Sequence, residues 1–303
     1  MDLDLAQLRA LSAAVTEGTF EAAARALHVT PSAISQRIKA LESSVGRVLL
    51  QRTKPVRVTE SGEAILRLAR NIDLLAADAR LALGPADDGS AARGGVAVVA
   101  PVSIPLAVNA DSLATWILPA LATLPASMTF DIQSDDQDHT TALLRSGSVM
   151  AAITAIRSPI QGCTSTPLGA MRYRMMCTPA FADTWFAHGV TAAALALAPV
   201  VVFDRKDDLQ DAYLRRRARR ALRPPKHYVP ASHDFVSAVR LGLGWGMLPD
   251  LQSAAAEASG ELVETDPEST TDVELYWQQW QLRSTSLDLV AEAVRAAAAR
   301  ALR

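Results

Sequence analysis

The chain has 303 residues, half of them hydrophobic, with 30 Lys and Arg against 32 Asp and Glu and a net charge of −2. That length holds two or three domains with a sizeable core, and the balance excludes a chain that is basic throughout. No apolar run reaches the roughly 18 residues a membrane span needs, the start MDLDLAQLRA lacks a signal peptide's cationic head and apolar core, and no metal-ligand spacing occurs, so a cytoplasmic protein with two reduced, buried thiols at Cys163 and Cys177 is expected.

Phe20 to Leu27 is Ala-rich without Gly or Pro, and Thr19 can cap its start. His28 and Val29 make a turn. Thr30 supplies the next N-cap oxygen, and Pro31 takes the first helical position, where a missing N–H costs nothing. Ile34, Ile38, Leu41 and Val45 then recur at spacings of 4, 3 and 4, one buried stripe that Gly46 ends. The opposite face carries Ser32, Ser35, Gln36, Arg37 and Lys39, short or flexible hydrogen-bonding groups suited to base edges and phosphates in a major groove. In QRTKPVRV, Arg52, Lys54 and Arg57 surround a Pro, as in a short hairpin wing laid over a DNA backbone. From Arg25 through Arg57 seven basic residues face one acid, Glu42, so positive charge is concentrated in an otherwise slightly acidic chain. That is the footprint of a phosphate-contact surface. A small helical bundle with a solvated basic face is the bland alternative, and it leaves the agreement of cap, turn, stripe and charge unexplained.

The run A-A-x-x-L-x-V-T-P-S-A-I-S-Q-R-I-K-x-L-E, followed by R-V-T-E-S-G, resembles the N-terminal domain of LysR-type transcriptional regulators. The resemblance implies a winged helix-turn-helix over residues 1–59 that binds double-stranded promoter DNA. Ser32, Ser35, Gln36, Arg37 and Lys39 would then meet bases or nearby phosphates, and Thr30, Arg52 and Arg57 would clamp the backbone.

Thr59 caps a run from about Glu60 to Leu83, in which Ile65, Leu68, Ile72, Leu75 and Ala79 keep a 3-4-3-4 spacing. Such a helix could pack on its own domain. The resemblance favours a linker over residues 60–84 that pairs with its twin through Ile65, Leu68, Ile72 and Leu75. Two recognition helices would then address half-sites about one DNA turn apart in a dimer, and the family adds a dimer of dimers and contact with RNA polymerase. GPADDGSAARGG, residues 84–95, is the best domain boundary in the chain, with the hinge at 85–95.

Beyond Gly95 short apolar strands alternate with helices. Strands are expected at 96–100, 128–134, 150–156, 199–204, 227–232, 244–249 and 273–280, and helices at 111–124, 138–147, 208–222, 233–242 and 286–302. The alternation means an α/β fold with a largely parallel sheet. The resemblance makes residues 96–303 an effector-binding domain of periplasmic-binding-protein type. Its subdomain I would take about 96–165 and 270–303, its subdomain II about 166–269, with crossings near 160–170 and 262–272.

In such sheets ligands sit beyond the carboxyl ends of strands. Acids cluster at these places, in NADSLATW (109–116), SDDQDH (134–139), DRKDD (204–208) and SHD (232–234), and together they suggest a cationic ligand. Taken singly, each acid is better explained by helix capping or first-turn charge. The segments A-V-N-A-D-S-L-A-T-W-x-L-P-A-L, A-P-V-V-V-F-D-R-x-D-D and L-Y-W-Q-Q-W resemble the branch of the family that responds to lysine and arginine and controls genes for export of basic amino acids. By that resemblance the α-carboxylate of the effector would meet groups near Ser112 and Thr115. Its cation would meet a carboxylate such as Asp135, Asp136 or Asp204, since an unpaired buried ammonium is very costly. Asn109, Asp111, Trp116 and Asp207 would complete the wall. No cofactor is implied beyond that small-molecule effector.

Three other readings are weaker. A sensor of an organic or aromatic acid would want Arg and Lys where these acids stand. A solute-binding protein would lack the helix-turn-helix, and an architectural DNA-binding protein would not need the α/β part. No catalytic reading holds up: consecutive Ser232, His233 and Asp234 diverge, and Ser232 reads better as a helix cap. The basic run RRRARRALR (215–223) is either a second nucleic-acid patch or a solvated helical face paired with Asp207, Asp208 and Asp211, and the solvated face is favoured.

Overall fold

The computed structural model describes residues 3–83, 101–134 and 137–303. The hinge expected at 85–95, the strand expected at 96–100 and the acids Asp135 and Asp136 lie outside the described residues.

The N-terminal part is a three-helix domain of α1 (Leu5–Thr16), α2 (Phe20–Ala26) and α3 (Pro31–Val45). Each start is fixed by a side-chain oxygen, from Asp4, Thr19 and Thr30, that accepts from a backbone N–H in the first turn. The α3 stripe is buried as its spacing requires: Ile34, Ile38 and Leu41 are fully enclosed against Leu8, Leu11 and Ala14 of α1. Gly46 ends the helix in the left-handed region at φ 72°. The wing is β1 (Leu50–Gln51) paired antiparallel with β2 (Arg57–Val58), with Leu50 opposite Val58. It is tied down twice. Val56 N–H donates to Gly18 O at 2.8 Å, and Leu49 N–H donates to Glu42 Oε1 at 2.8 Å.

Helix α4 (Glu60–Leu83) leaves this domain and runs along the next one. The expected seam is split by its surroundings. Ile65 is buried, with Leu66 and Ala69, in the core of its own winged domain, and Ile72 packs half-buried against it. Leu68 and Leu75 remain 37% and 41% exposed, and Ala79 is exposed with them. The stripe divides lengthwise: Ile65 and Ile72, seven residues apart, turn toward the winged core, whereas Leu68 and Leu75, also seven apart, stay outward. Farther on, Leu74 and Ala77 enter the core of the effector part, where the Asp78 carboxylate accepts from Ser284 Oγ at 2.6 Å and from the Ser286 hydroxyl. Between the two cores Arg70 is buried. It donates to Thr16 Oγ1 at 3.1 Å, and burial lowers its pKa to about 10.

The C-terminal part is a two-lobed α/β unit. The first lobe holds β3 (Val102–Val108), β4 (Met128–Ser134) and β5 (Ala151–Thr154), all parallel, with β3 in the middle. It adds α5 (Ala110–Ser112), a π-helical turn (Leu113–Ile117), α6 (Leu118–Leu121) and α7 (Gln137–Arg145). Two long strands then cross between lobes side by side and antiparallel, β6 (Cys163–Cys177) and β11 (Thr271–Trp280), with Cys163 opposite Trp280. The second lobe contains α8 (Pro179–Trp185), α9 (Ala192–Leu197), β7 (Val200–Val202), α10 (Leu209–Ala218), β8 (Lys226–Tyr228), α11 (Ser232–Arg240), β9 (Gly246–Pro249), α12 (Asp250–Ala258) and β10 (Val263–Glu264). The chain returns through β11 to α13 (Thr285–Ala301), which packs on the first lobe.

Parallel pairing therefore holds inside each lobe, for β3, β4 and β5 and for β7 with β8, whereas the crossing strands and β9 make the main sheet mixed. The crossing strands run at 163–177, overlapping most of the expected 160–170, and at 271–280, beginning at the end of the expected 262–272. The basic run behaves as a structural face in part. Arg215 pairs with Asp208 at 2.5 Å and Arg217 with Asp266 at 3.0 Å, while Asp211 pairs with Lys226 and, among the described residues, Asp207 with no arginine. Both thiols are buried and unbonded, and burial pushes each pKa up to about 12. Among the described residues no helix is long and apolar enough to cross a membrane, and no cluster of His, Cys, Asp or Glu is placed to hold a metal.

Candidate functional site

Two surfaces stand apart chemically. The first is the outer face of α3 with the wing. Ser32, Gln36 and Lys39 are exposed, Ser35 and Arg37 half-buried, and Arg52 and Arg57 exposed on the wing. Thr30 Oγ1 is committed twice, accepting from Ala33 N–H at 3.2 Å and sharing a 2.9 Å hydrogen bond with Ser32 Oγ. Arg52 lies over the Phe20 ring at 5.7 Å, so its cation is held at the start of α2 rather than left to sweep. Glu42, the one acid between Arg25 and Arg57, turns inward to bind the wing backbone and pairs with no cation among the described residues. None of Arg37, Lys39, Arg52 and Arg57 is paired with an acid among the described residues. The face is left positive and rich in hydrogen-bonding groups, which suits a polyanion with readable edges.

The second surface is a cavity of about 400 Å³ between the lobes. Asn109 and Asp111 enter it from the turn after β3, Tyr173 from β6, Asp204 and Asp207 from the loop after β7, and Gln252 from α12. Three of these are expected acids brought to one place from two segments nearly a hundred residues apart in sequence. Asp208 lines the cavity too but is tied to Arg215, and Lys206 is the one basic residue on the wall among the described residues.

Each carboxylate is held differently. Asp204 Oδ1 accepts from the N–H groups of Lys206 at 2.7 Å and Asp207 at 2.8 Å, while its other oxygen has no partner among the described residues. Asp207 accepts with both oxygens, from Phe203 N–H at 3.2 Å and Leu209 N–H at 3.0 Å. Burial raises the Asp207 pKa above the usual carboxylate value. Its two backbone donors pull it back, and the nearby charges of Asp111 and Asp204 add to the rise. Asp111 accepts from Tyr173 Oη and from Ser232 Oγ, both at 2.7 Å. Burial first, then the Asp111 carboxylate, keeps the Tyr173 phenol well above its ordinary pKa, so it stays a donor.

Three expected wall residues lie elsewhere. Ser112 is fully buried, Trp116 is 5% exposed in the core, and the Thr115 hydroxyl donates to Asp111 O one turn back at 2.6 Å. The helical path after Asp111, widened by the π turn, carries these side chains away from the cleft. Asn109 lines the cavity, with a buried Oδ1 that has no partner among the described residues. Ser232 does not cap α11. The N-cap position is Ala231, and the Ser232 hydroxyl reaches across to Asp111 instead. Tyr173, Ser232 and Gln252 were not foreseen as site residues. For Tyr173 a signal existed, the strict alternation Met171-Arg172-Tyr173-Arg174-Met175 of a half-buried strand, with its odd positions buried.

Residues 5–63 match the family described as "Bacterial regulatory helix-turn-helix protein, lysR family", and residues 99–299 match the "LysR substrate binding domain". The chain is 44% identical over 296 residues to the HTH-type transcriptional regulator LysG of Mycobacterium tuberculosis, spanning 98% of this chain and 94% of that one. It is 38% identical over 300 residues to the lysine export transcriptional regulatory protein LysG of Corynebacterium glutamicum, spanning 98% of each. The solved full-length structure of LysG from Corynebacterium glutamicum with bound effector Arg is similar over 99% of this chain and 100% of that one, at a TM-score of 0.73 and 37% identity.

Proposed function

We propose, for a chain that belongs to the LysR family of DNA-binding transcriptional regulators and is not an enzyme, that its effector domain senses lysine or arginine and that its DNA complex controls a gene for export of basic amino acids. The observation that carries the effector class is the convergence of Asp111, Asp204 and Asp207 on one cavity with a single lysine among its described residues. Like charges gathered in a partly dry cleft repel one another, and a cationic ligand relieves that repulsion. An organic or aromatic acid would add to it.

In this reading the side-chain cation of the effector meets the open oxygen of Asp204 and the carboxylates of Asp111 and Asp207. Lys206 and the amide of Gln252, on the same wall, face its α-carboxylate, the role first expected near Ser112 and Thr115. Binding favours one arrangement of the two lobes by its differential affinity alone, a coupling on the order of 1–3 kcal/mol. Helix α4 passes the change on, since it is keyed into the first lobe by Leu74, Ala77 and Asp78 and into the winged domain by Ile65 and Leu66. Leu68 and Leu75 form the face for a twin chain, and the paired wings then meet RNA polymerase at the promoter in a different geometry.

The test is a titration of labelled promoter DNA from upstream of the exporter gene. Lysine or arginine should change the affinity or mobility of the complex, and leucine should not. Identical behaviour with all three would rule out a basic amino acid as the signal. On the DNA side, Arg52→Ala removes a phosphate contact, so it should weaken binding to every sequence alike and reduce the salt slope by about one. Gln36→Ala should instead relax preference at one base pair, at a cost of about 1–3 kcal/mol. A salt series on operator and scrambled DNA separates the two.

The raised pKa of Asp207 sets a pH dependence with a definite sign. Above that pKa the acid is ionised and attracts the cation. As pH falls through it, Asp207 takes a proton and the cavity loses a negative charge. Arginine affinity should therefore fall on acidification from neutral pH, with proton release on binding near the raised pKa. Calorimetry in two buffers of different ionisation heat measures both, and a flat profile would mean that Asp207 does not face the ligand.

A further inference from the structure

Asp111 belongs to the first lobe, yet both its oxygens are bonded to hydroxyls from elsewhere. Tyr173 lies on the crossing strand β6, and Ser232 is the first residue of α11 in the second lobe. The Ser232 hydroxyl is itself aimed. Gln252 Nε2 on α12 donates to it at 2.9 Å, so its own proton is left for the Asp111 carboxylate at 2.7 Å rather than for Gln252 Oε1 at 3.3 Å. Ser232 is 8% exposed and does not line the cavity, whereas Asp111, Tyr173 and Gln252 do. A continuous hydrogen-bonded chain thus runs from the wall of the cleft into two helices of the opposite lobe.

We propose that Ser232 is a positioning residue that makes the arrangement of the lobes depend on the charge at Asp111, without itself holding the effector. An ionised carboxylate has about four acceptor positions, and the two hydroxyls fill two of them, which leaves room for a cation from the cavity side. A hydrogen bond to an ionised acceptor is about twice as strong as one between neutral groups. When a cation pairs with Asp111, the charge that Ser232 donates to is partly neutralised and the bond across the lobes weakens. The start of α11 is then released relative to α5. Neutral ligands leave the bond as it is, so the device reports charge in the cleft rather than occupancy alone. It rests on the cationic reading of the cavity.

The test compares the full-length protein with Ser232→Ala, Ser232→Gly and Ser232→Thr by two measurements. One is arginine affinity by calorimetry; the other is the arginine-induced change in operator affinity by fluorescence anisotropy. Alanine or glycine should keep arginine affinity within about threefold of wild type while cutting the induced change at least about fivefold, and threonine, which keeps the hydroxyl, should restore it. The glycine variant is tolerated at a helix start and stands in if alanine disturbs folding. A full induced change without the hydroxyl would overturn the proposal, as would a loss of arginine affinity equal to the loss of response, which would make Ser232 a direct contact. A wild-type protein that binds no arginine would instead remove the cationic reading beneath it.

Discussion

Asp204→Asn is expected to weaken binding of lysine or arginine about 10- to 100-fold, about 1.5–3 kcal/mol for one charge-assisted contact, and to leave DNA affinity without effector unchanged. The substitution is a clean probe because of how Asp204 is held. Its Oδ1 accepts from Lys206 and Asp207 N–H groups, and an asparagine Oδ1 can accept both and keep the turn. Only the second oxygen, the one without a partner among the described residues, becomes an amide. The cavity loses a charge and gains a donor that repels an ammonium or guanidinium. Titration of the variant with arginine reads the effect, and an unchanged affinity would place the cation contact on Asp111 or Asp207 alone.

Gly62→Ala should damage the other half of the molecule. A methyl group at that position would lie 2.0 Å from Leu49 O and 2.9 Å from Leu49 C, backbone atoms at the base of the wing. Those atoms cannot step aside. Leu49 O accepts from Thr59 N–H at 2.9 Å, Leu49 N–H is held by Glu42, and Thr59 Oγ1 accepts from Gly62 N–H at 3.0 Å while donating to Val48 O. Relief requires the start of α4 to separate from the wing, at a cost of about 3 kcal/mol or more for the winged domain. Thermal unfolding should show an early transition from that domain and loss of operator binding, with arginine binding by the effector domain retained. A melting curve like that of wild type would mean that the wing and α4 are not so closely joined.

The DNA-binding half was legible because its signals are local. Thr19, Thr30 and Pro31 fix helix starts, and the stripe of Ile34, Ile38 and Leu41 needs only a 3.6-residue repeat to declare its buried face. The effector half was legible in its alternation of strands and helices, and strand 128–134 is found where expected. It was not legible where proline or pairing across the chain decides. Strand β3 carries Pro105, which argues against a central strand. The fold accepts it because Pro105 O takes the N–H of Met150 just before β5 begins, so the missing donor faces a place where pairing has barely started. Strand β6 contains Pro167 and Gly169 and two arginines that look too polar for a sheet. Arg172 and Arg174 are satisfied by Asp272, Asp250, Glu257 and Glu264, partners about 75 to 100 residues away in sequence.

The candidate site divides the same way. Acids at strand ends pointed to the cleft, and Asp111, Asp204 and Asp207 reach it. Ser112, Thr115 and Trp116 come from the right segment but sit on the wrong side of it, because a helix sends neighbours in different directions. Ser232 was read as a cap from its place before an apolar run. Only its proximity to a residue 121 positions earlier reveals the bond to Asp111.

The central claim is that this cleft takes a cationic amino acid, and isothermal titration of the purified full-length protein with lysine, arginine and leucine tests it most directly. Saturable heat with lysine or arginine and none with leucine is the predicted result. Heat with leucine alone, or with none of the three, would contradict the effector assignment and leave the acids of the cavity to be explained as turn and helix caps.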